Sequence, residues 1–481
     1  MRSIIQGMSA ALSRVASRWI PDPLVIALLL SGIVLLWSAL GTELGFWGTI
    51  DAWGGRHPSG LSPKYGVWKL LGFAMQMCLV LVTGHALAAA PWAQRVIRRL
   101  TSIPGSATQA IIFTAYIAMI GGLLNWGLGL ILGAMTAREM GKSCAQRGVP
   151  VHYPLICAAG YTGLLVWHGG LSGTAPLKVT RAGELVDVFG EAFVREHELT
   201  PISLYDTLGS ALNLWVMGGL LFVVPLALAA MLPRDKSSYI SPPTELGSDA
   251  SEQRKYHGAE VKTDVASSRE REGVGIAQRL ERSRLIAYLF AALIFAYTYR
   301  YLRLIGFGQI DLNVINLIFV GLGLVAYGAP TAYGQAIERA ARGCAGILIQ
   351  FPLYAGVMAV MSTSGITQAI ARGFTQLADA DSMSTFSFFS AGLINLFVPS
   401  GGGQWAVQGP LLLESAYQVG APLNEVVMAF AYGDAWTNML QPFWALPLLV
   451  LTGVKARDIV GYTATLMLMV TPIYVLGFWI L

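Results

Sequence analysis

Apolar runs about twenty residues long recur from one end of this chain to the other: Leu24–Leu40, Val67–Ala90, Leu204–Met231, Leu285–Leu304, Asn313–Tyr327 and Ile459–Leu481. That is the length an α-helix needs to cross a hydrocarbon core ~30 Å thick. Over 481 residues the hydrophobic fraction is 54%, the charged fraction 12% and the mean hydropathy +0.57. A soluble domain carries roughly twice that share of charge, and a membrane β-barrel would alternate polar and apolar positions instead. The expected fold is an all-α polytopic membrane protein. Its net charge of +5 is spread over the loops, as the positive-inside tendency produces, so no nucleic-acid partner is expected. Cys78, Cys144, Cys157 and Cys344 lie scattered without metal-ligand spacing and read as small buried hydrophobes.

The remaining sequence divides the membrane part. Arg2, Arg14 and Arg18 precede the first run, so residues 1–22 read as a cytoplasmic interfacial segment rather than a cleavable leader. Residues 178–201 contain three Lys/Arg against five Asp/Glu and suit the outside. Residues 233–282 contain nine charges of each sign with no apolar period, and read as a flexible cytoplasmic linker. It would join a first membrane repeat (23–232) to a linking transmembrane helix (283–310) and a second repeat (311–481). Gly122-Leu123-Leu124-Asn125 is echoed by Gly392-Leu393-Ile394-Asn395. Tyr161 precedes Pro176-Leu177 by the same 15 positions that separate Tyr432 from Pro447-Leu448. The basic residues give corresponding spans opposite directions, which predicts two inverted-topology repeats with discontinuous helices, a frequent transporter architecture.

The most interrupted stretch is "LINLFVPSGGGQWAVQGP", Leu393 to Pro410. Pro399 removes a backbone donor and pushes its predecessor away from helix. Gly401-Gly402-Gly403 permits backbone angles closed to other residues, with helix expected to resume near Gln404. A helix N-terminus at mid-depth presents N–H groups and partial positive charge to an anion. Ser400 and Gln404 would add hydrogen bonds and Trp405 apolar surface; the alternative is a glycine kink for close packing. The counterpart, Asn125-Trp126-Gly127-Leu128-Gly129, is milder. Asn125 and Trp126 are candidates for the site, with Asn395, while Gly129 and Gly133 also form a small-xxx-small packing pair.

Each repeat holds a second interruption. "YGDAWTNMLQP" places Asp434 and Asn438 four apart on one helical face. A charge at the bilayer centre costs at least ~2.5 kcal/mol on insertion scales, so Asp434 is a candidate proton carrier or Na⁺ ligand, against a structural anchor. "WHGGLSGTAP" brings His168, Ser172 and Thr174; His168 is a candidate titrating group, though a lone histidine is more often a satisfied core residue. Neither stretch holds Lys or Arg. A di- or tricarboxylate would ordinarily want bidentate arginine, so these residues suggest a small, partly apolar monoanion. No phosphate loop, His-Glu-x-x-His pair or Gly-x-Ser-x-Gly elbow is present, so neither an enzyme nor a resident cofactor is expected. The rivals are a carrier of a dicarboxylate or aminoacyl compound and a membrane-embedded acyltransferase using His168 and Asp434.

Val398-Pro399-Ser400-Gly401-Gly402-Gly403-Gln404-Trp405 closely resembles the bacterial short-chain fatty acid transporter family. "RWIPDPLVIALLL" (Arg18–Leu30) and "YGDAWTNMLQPFWALPLL" (Tyr432–Leu449) resemble the same family. The resemblance covers nearly all the membrane part and is weakest over 233–282. It implies a multi-pass inner-membrane secondary carrier for small monocarboxylates such as butyrate or acetoacetate, coupled to H⁺ or Na⁺. It further implies re-entrant hairpins and a homodimer in the lipid bilayer. Ser400–Gln404 and Asn125 would line the site, with Asp434 and Asn438 nearby.

Overall fold

The computed structural model describes residues 2–57, 60–61, 66–180, 186, 191–196, 200–243, 275–305, 312–341 and 344–481. Parts of the acidic 178–201 loop and of the 283–310 segment, and 244–274 of the expected linker, lie outside the described residues. Among those described, seven helices are long and apolar enough to cross a membrane: Pro23–Gly41, Gly66–Leu87, Ala107–Leu124, Ala211–Met231, Arg284–Leu304, Ala345–Thr363 and Ala456–Ile480. Leu312–Tyr327 and Pro442–Thr452 are shorter apolar helices. Local chemistry sets their starts. Asp22 accepts from the Leu24 N–H at 2.9 Å, with Pro23 in the first helical position. The run expected from Leu204 begins only at Ala211, because the Ser210 hydroxyl caps that helix by accepting from Asn213 N at 3.1 Å. All four cysteines are buried and free.

Two broken helices follow one another in each part of the chain. Ala107–Leu124 stops at Asn125 and restarts as Trp126–Gln146. Tyr153–Tyr161 continues through Gly163–Val166 and a 3₁₀ turn at Trp167–Gly169 before restarting as Thr174–Lys178. The same order returns with Met383–Asn395 restarting as Gly401–Val419, and Leu423–Thr437 passing a 3₁₀ turn at Asn438–Leu440 before Pro442–Thr452.

Glycines let these pieces interlock. A methyl group on Gly122 would overlap the Gly163 carbonyl, one on Gly129 the backbone of Gly122, and one on Gly133 the carbonyl of Gly160. Gly433 stands in the same relation to the Phe388 carbonyl. Gly129 and Gly133 are therefore packing residues. Gly133→Ala has no flexible neighbour to displace and should lose at least the ~1–3 kcal/mol typical of overpacking. Thermal unfolding in detergent checks this; an unchanged midpoint would contradict the packing account.

The residues after Met231 are tied to two distant segments. Gln6 donates to the Leu232 carbonyl at 2.6 Å, Tyr153 N to Ile240 O at 2.8 Å, and Ile240 N to His152 Nδ1 at 3.2 Å. Tyr153 donates its hydroxyl to Thr452 O at 3.0 Å. The N-terminal helix Arg2–Trp19 packs along Ala456–Ile480, with Gly461 lying against Ser13, and leaves Ile4, Val15 and Trp19 exposed.

Candidate functional site

The break after Met383–Asn395 spans 396–400, and helix resumes at Gly401, three residues before the expected restart. Ser400 is the reason. Its hydroxyl accepts from Gly403 N at 3.1 Å and its carbonyl from Gln404 N at 2.7 Å, which begins the helix as an N-cap does. None of Gly401, Gly402 and Gly403 has positive φ, so the backbone freedom they permit is not used there. They are small for proximity instead. A Cβ on Gly401 would stand 2.7 Å from His168 Nε2 and 2.9 Å from the Trp167 ring. On Gly403 it would meet Ser400 Oγ at 2.9 Å and Met358 Cε at 3.0 Å; on Gly402 it would meet only Thr174 Cγ2, at 3.5 Å. The first-turn N–H groups of Gly401 and Gly402 have no intrahelical acceptor, and they stand at the positive end of the helix.

Facing this turn is a buried polar pair. His168 Nε2 lies 3.4 Å from Asp434 Oδ1, and the side chains are 0% and 1% exposed. Neither His168 ring nitrogen nor Asp434 Oδ2 has a hydrogen-bond partner among the described residues, so the two side chains meet without an aligned hydrogen bond. Polar atoms this deeply buried are nearly always hydrogen-bonded. Ser400, Gly401, Gly402, His168, Thr174 and Asp434 thus form one locus, drawn from both parts of the chain.

Other candidates are committed elsewhere. The Asn395 amide donates to Asp434 O at 2.8 Å, Thr437 Oγ1 at 3.1 Å and Asn438 Oδ1 at 2.9 Å. Asn438 therefore pairs with Asn395 rather than the Asp434 carboxylate. Gln441 donates to the carbonyls of Asn395 and Leu396, both at 3.0 Å, and Tyr161 to that of Asn438 at 2.9 Å. These bonds satisfy backbone carbonyls freed at the breaks, as a membrane interior demands. Asn125 caps its own helix by accepting from Gly127 N at 3.0 Å and Leu128 N at 3.2 Å. Ser172 accepts from Trp126 N at 2.9 Å, which ties the two first-half breaks together.

Gln404 and Trp405 do not line the locus. Because the helix restarts at Gly401, both are already a turn inside it and face the core. Gln404 donates to Ala391 O at 2.8 Å and Gln408 Oε1 at 3.0 Å, and Gln408 to Ser390 Oγ at 2.8 Å. Trp405 is 1% exposed and packs edge-on against Phe430, centroids 4.8 Å apart. The aromatic beside Gly401 is Trp167, which sequence reasoning missed. The available signal was its position directly before His168, at a helix break. No group of three or more His, Cys, Asp or Glu capable of holding a metal occurs among the described residues. A cavity of about 130 Å³ lies away from this locus, lined by Asp206, Ser210, Asn424 and Glu425 among others.

The family model described as Short chain fatty acid transporter matches residues 4–481. The chain belongs to the short-chain fatty acid transporter family. A relative from Escherichia coli K12 whose name repeats the family's is 37% identical over 98% of this chain and 99% of its own length. Another, from Haemophilus influenzae, is 34% identical over 99% and 100%. Among solved structures, the YdaH transporter of Alcanivorax borkumensis aligns over 96% of this chain and 97% of its own at 14% identity, with a TM-score of 0.35. MtrF of Neisseria gonorrhoeae, from a class of antimetabolite efflux pumps, aligns over 97% of each chain at 14% identity and 0.29. By family and by its apolar helices, this transporter is a multi-pass protein of the bacterial inner membrane and not an enzyme.

Proposed function

We propose that this transporter moves small monocarboxylates, of butyrate or acetoacetate size, across the inner membrane by symport with H⁺ or Na⁺. The observation that carries the reading is the locus at Gly401. A mid-chain helix start, with first-turn N–H groups lacking an intrahelical acceptor, meets buried His168 and Asp434 with no lysine or arginine among its members. Amide dipoles and one hydroxyl suit a single carboxylate. The coupling cation goes to Asp434, with His168 as its neighbour. Na⁺ there would draw its remaining ligands from backbone and hydroxyl oxygens, in keeping with its preference for hard donors. Two inverted repeats joined by 233–282, working as a homodimer, would provide alternating access around this point.

The test is uptake of labelled butyrate, acetoacetate and succinate into proteoliposomes, under an imposed Na⁺ gradient and separately under a pH gradient. Protonated weak acids cross bilayers unaided, so protein-free vesicles must be subtracted and counterflow exchange measured alongside. Concentrative, exchangeable uptake of butyrate or acetoacetate under one of the gradients is expected. Preference for succinate would defeat the substrate class, and flux without counterflow would defeat the carrier mechanism.

A further inference from the structure

The carboxylate accounts for only one end of such a substrate. We infer that its hydrocarbon tail is received by an aromatic cluster, Phe73, Trp126, Trp167, Phe351, Phe443 and Trp444, which sets the chain-length preference. The inference rests on the monocarboxylate reading above and extends it to residues no motif named.

The cluster begins at the carboxylate locus. The Trp167 ring that crowds Gly401 also stands edge-on to His168, centroids 3.6 Å apart. From Trp167 the apolar surface runs to Trp126 at 6.3 Å, and from Trp126 to Trp444 at 5.2 Å and Phe73 at 5.9 Å. Phe73 continues to Phe351 at 5.7 Å, which stacks on Phe443 at 4.2 Å. Three of the four helix breaks contribute: Trp126 opens the helix after Asn125, Trp167 begins a 3₁₀ turn, and Phe443 and Trp444 sit in the first turn after Gln441.

Burial is graded across the cluster. Phe351 and Phe443 are 0% and 1% exposed, whereas Phe73 and Trp126 are only partly buried. Two polar atoms sit within it without a hydrogen-bond partner: Trp167 Nε1 and the hydroxyl of Tyr354, whose ring meets Phe443 at 5.0 Å. Leaving such groups unpaired in an apolar setting is unfavourable. They suit a tail that carries one oxygen, as a 3-oxo acid does.

The test is inhibition of labelled butyrate counterflow by unbranched acids from acetate to octanoate, with wild-type protein and the variants Phe73→Leu and Trp444→Leu. In wild type, affinity should rise about fourfold per added methylene until the cluster is filled, the increment expected for burying a CH₂. In the variants the loss should grow with chain length, smallest for acetate and largest for hexanoate. Equal loss for every acid, or an unaltered dependence on length, would overturn the tail site. Wild-type protein that exchanges none of these acids would instead overturn the monocarboxylate reading, and the tail site with it. A readout needing no variant is quenching of tryptophan fluorescence by 4-bromobutyrate. Quenching reversed by excess butyrate supports the site, and no quenching at saturating concentration rejects it.

Discussion

Asp434→Asn is expected to reduce the accumulation ratio of the transported acid to one while equilibrium exchange remains measurable. The side chain is 1% exposed, with one oxygen 3.4 Å from His168 Nε2 and the other without a hydrogen-bond partner. Asparagine keeps the shape and removes the charge, so it can neither take up a proton nor balance a sodium ion. Substrate contact at the Gly401 turn is left in place. Coupling should therefore fail before binding does, and proteoliposomes that compare gradient-driven uptake with exchange separate the two. Undiminished accumulation in the variant would remove Asp434 from the mechanism. An equal fall in exchange would make it a substrate or structural residue instead.

Adjacent glycines should respond very differently to one methyl group. Gly401→Ala places a Cβ 2.7 Å from His168 Nε2 and 2.9 Å from the Trp167 ring, and both side chains are held in a packed 3₁₀ turn. Gly402→Ala meets only Thr174 Cγ2 at 3.5 Å, an ordinary contact. Overpacking of the first kind costs about 1–3 kcal/mol, and here it falls directly beside the N–H groups proposed to meet the carboxylate. Butyrate uptake by Gly401→Ala should accordingly drop at least tenfold, a factor worth about 1.4 kcal/mol, while Gly402→Ala stays within about twofold. Thermal unfolding of both variants shows whether the loss is local. Equal activities would mean that the Gly401–His168 approach is irrelevant to transport.

The helical membrane class was legible because burial in lipid leaves a period-free apolar signal that survives any detail of packing. Breaks were legible for the same reason: Asn125, Pro399 and Gln441 are costly in lipid unless the backbone is deliberately interrupted. What lay beyond the sequence was the direction each residue faces after a break. The restart at Gly401 rather than near Gln404 follows from one hydroxyl, that of Ser400, and it turns Gln404 and Trp405 into the core. The three glycines read equally well as a conformational or a steric requirement; the near approach of His168, 233 positions earlier in the chain, decides for the second. Asn438 and Asp434 share a helical face by spacing, yet the chain enters a 3₁₀ turn at Asn438 and its amide oxygen meets Asn395 instead. Such long-range pairings leave no periodic trace.

The last helix, Ala456–Ile480, has a consequence for how the chain is held together. It lies against Arg2–Trp19, accepts the Trp215 indole N–H on its Ile473 carbonyl at 3.0 Å, and receives the His152 ring at the Tyr462 hydroxyl, 2.7 Å away. The chain's tail is thus sewn to its head and to the Ala211–Met231 helix. Segments more than 200 positions apart are thereby one packed unit, so a substitution along this seam should loosen all of them together rather than one helix alone.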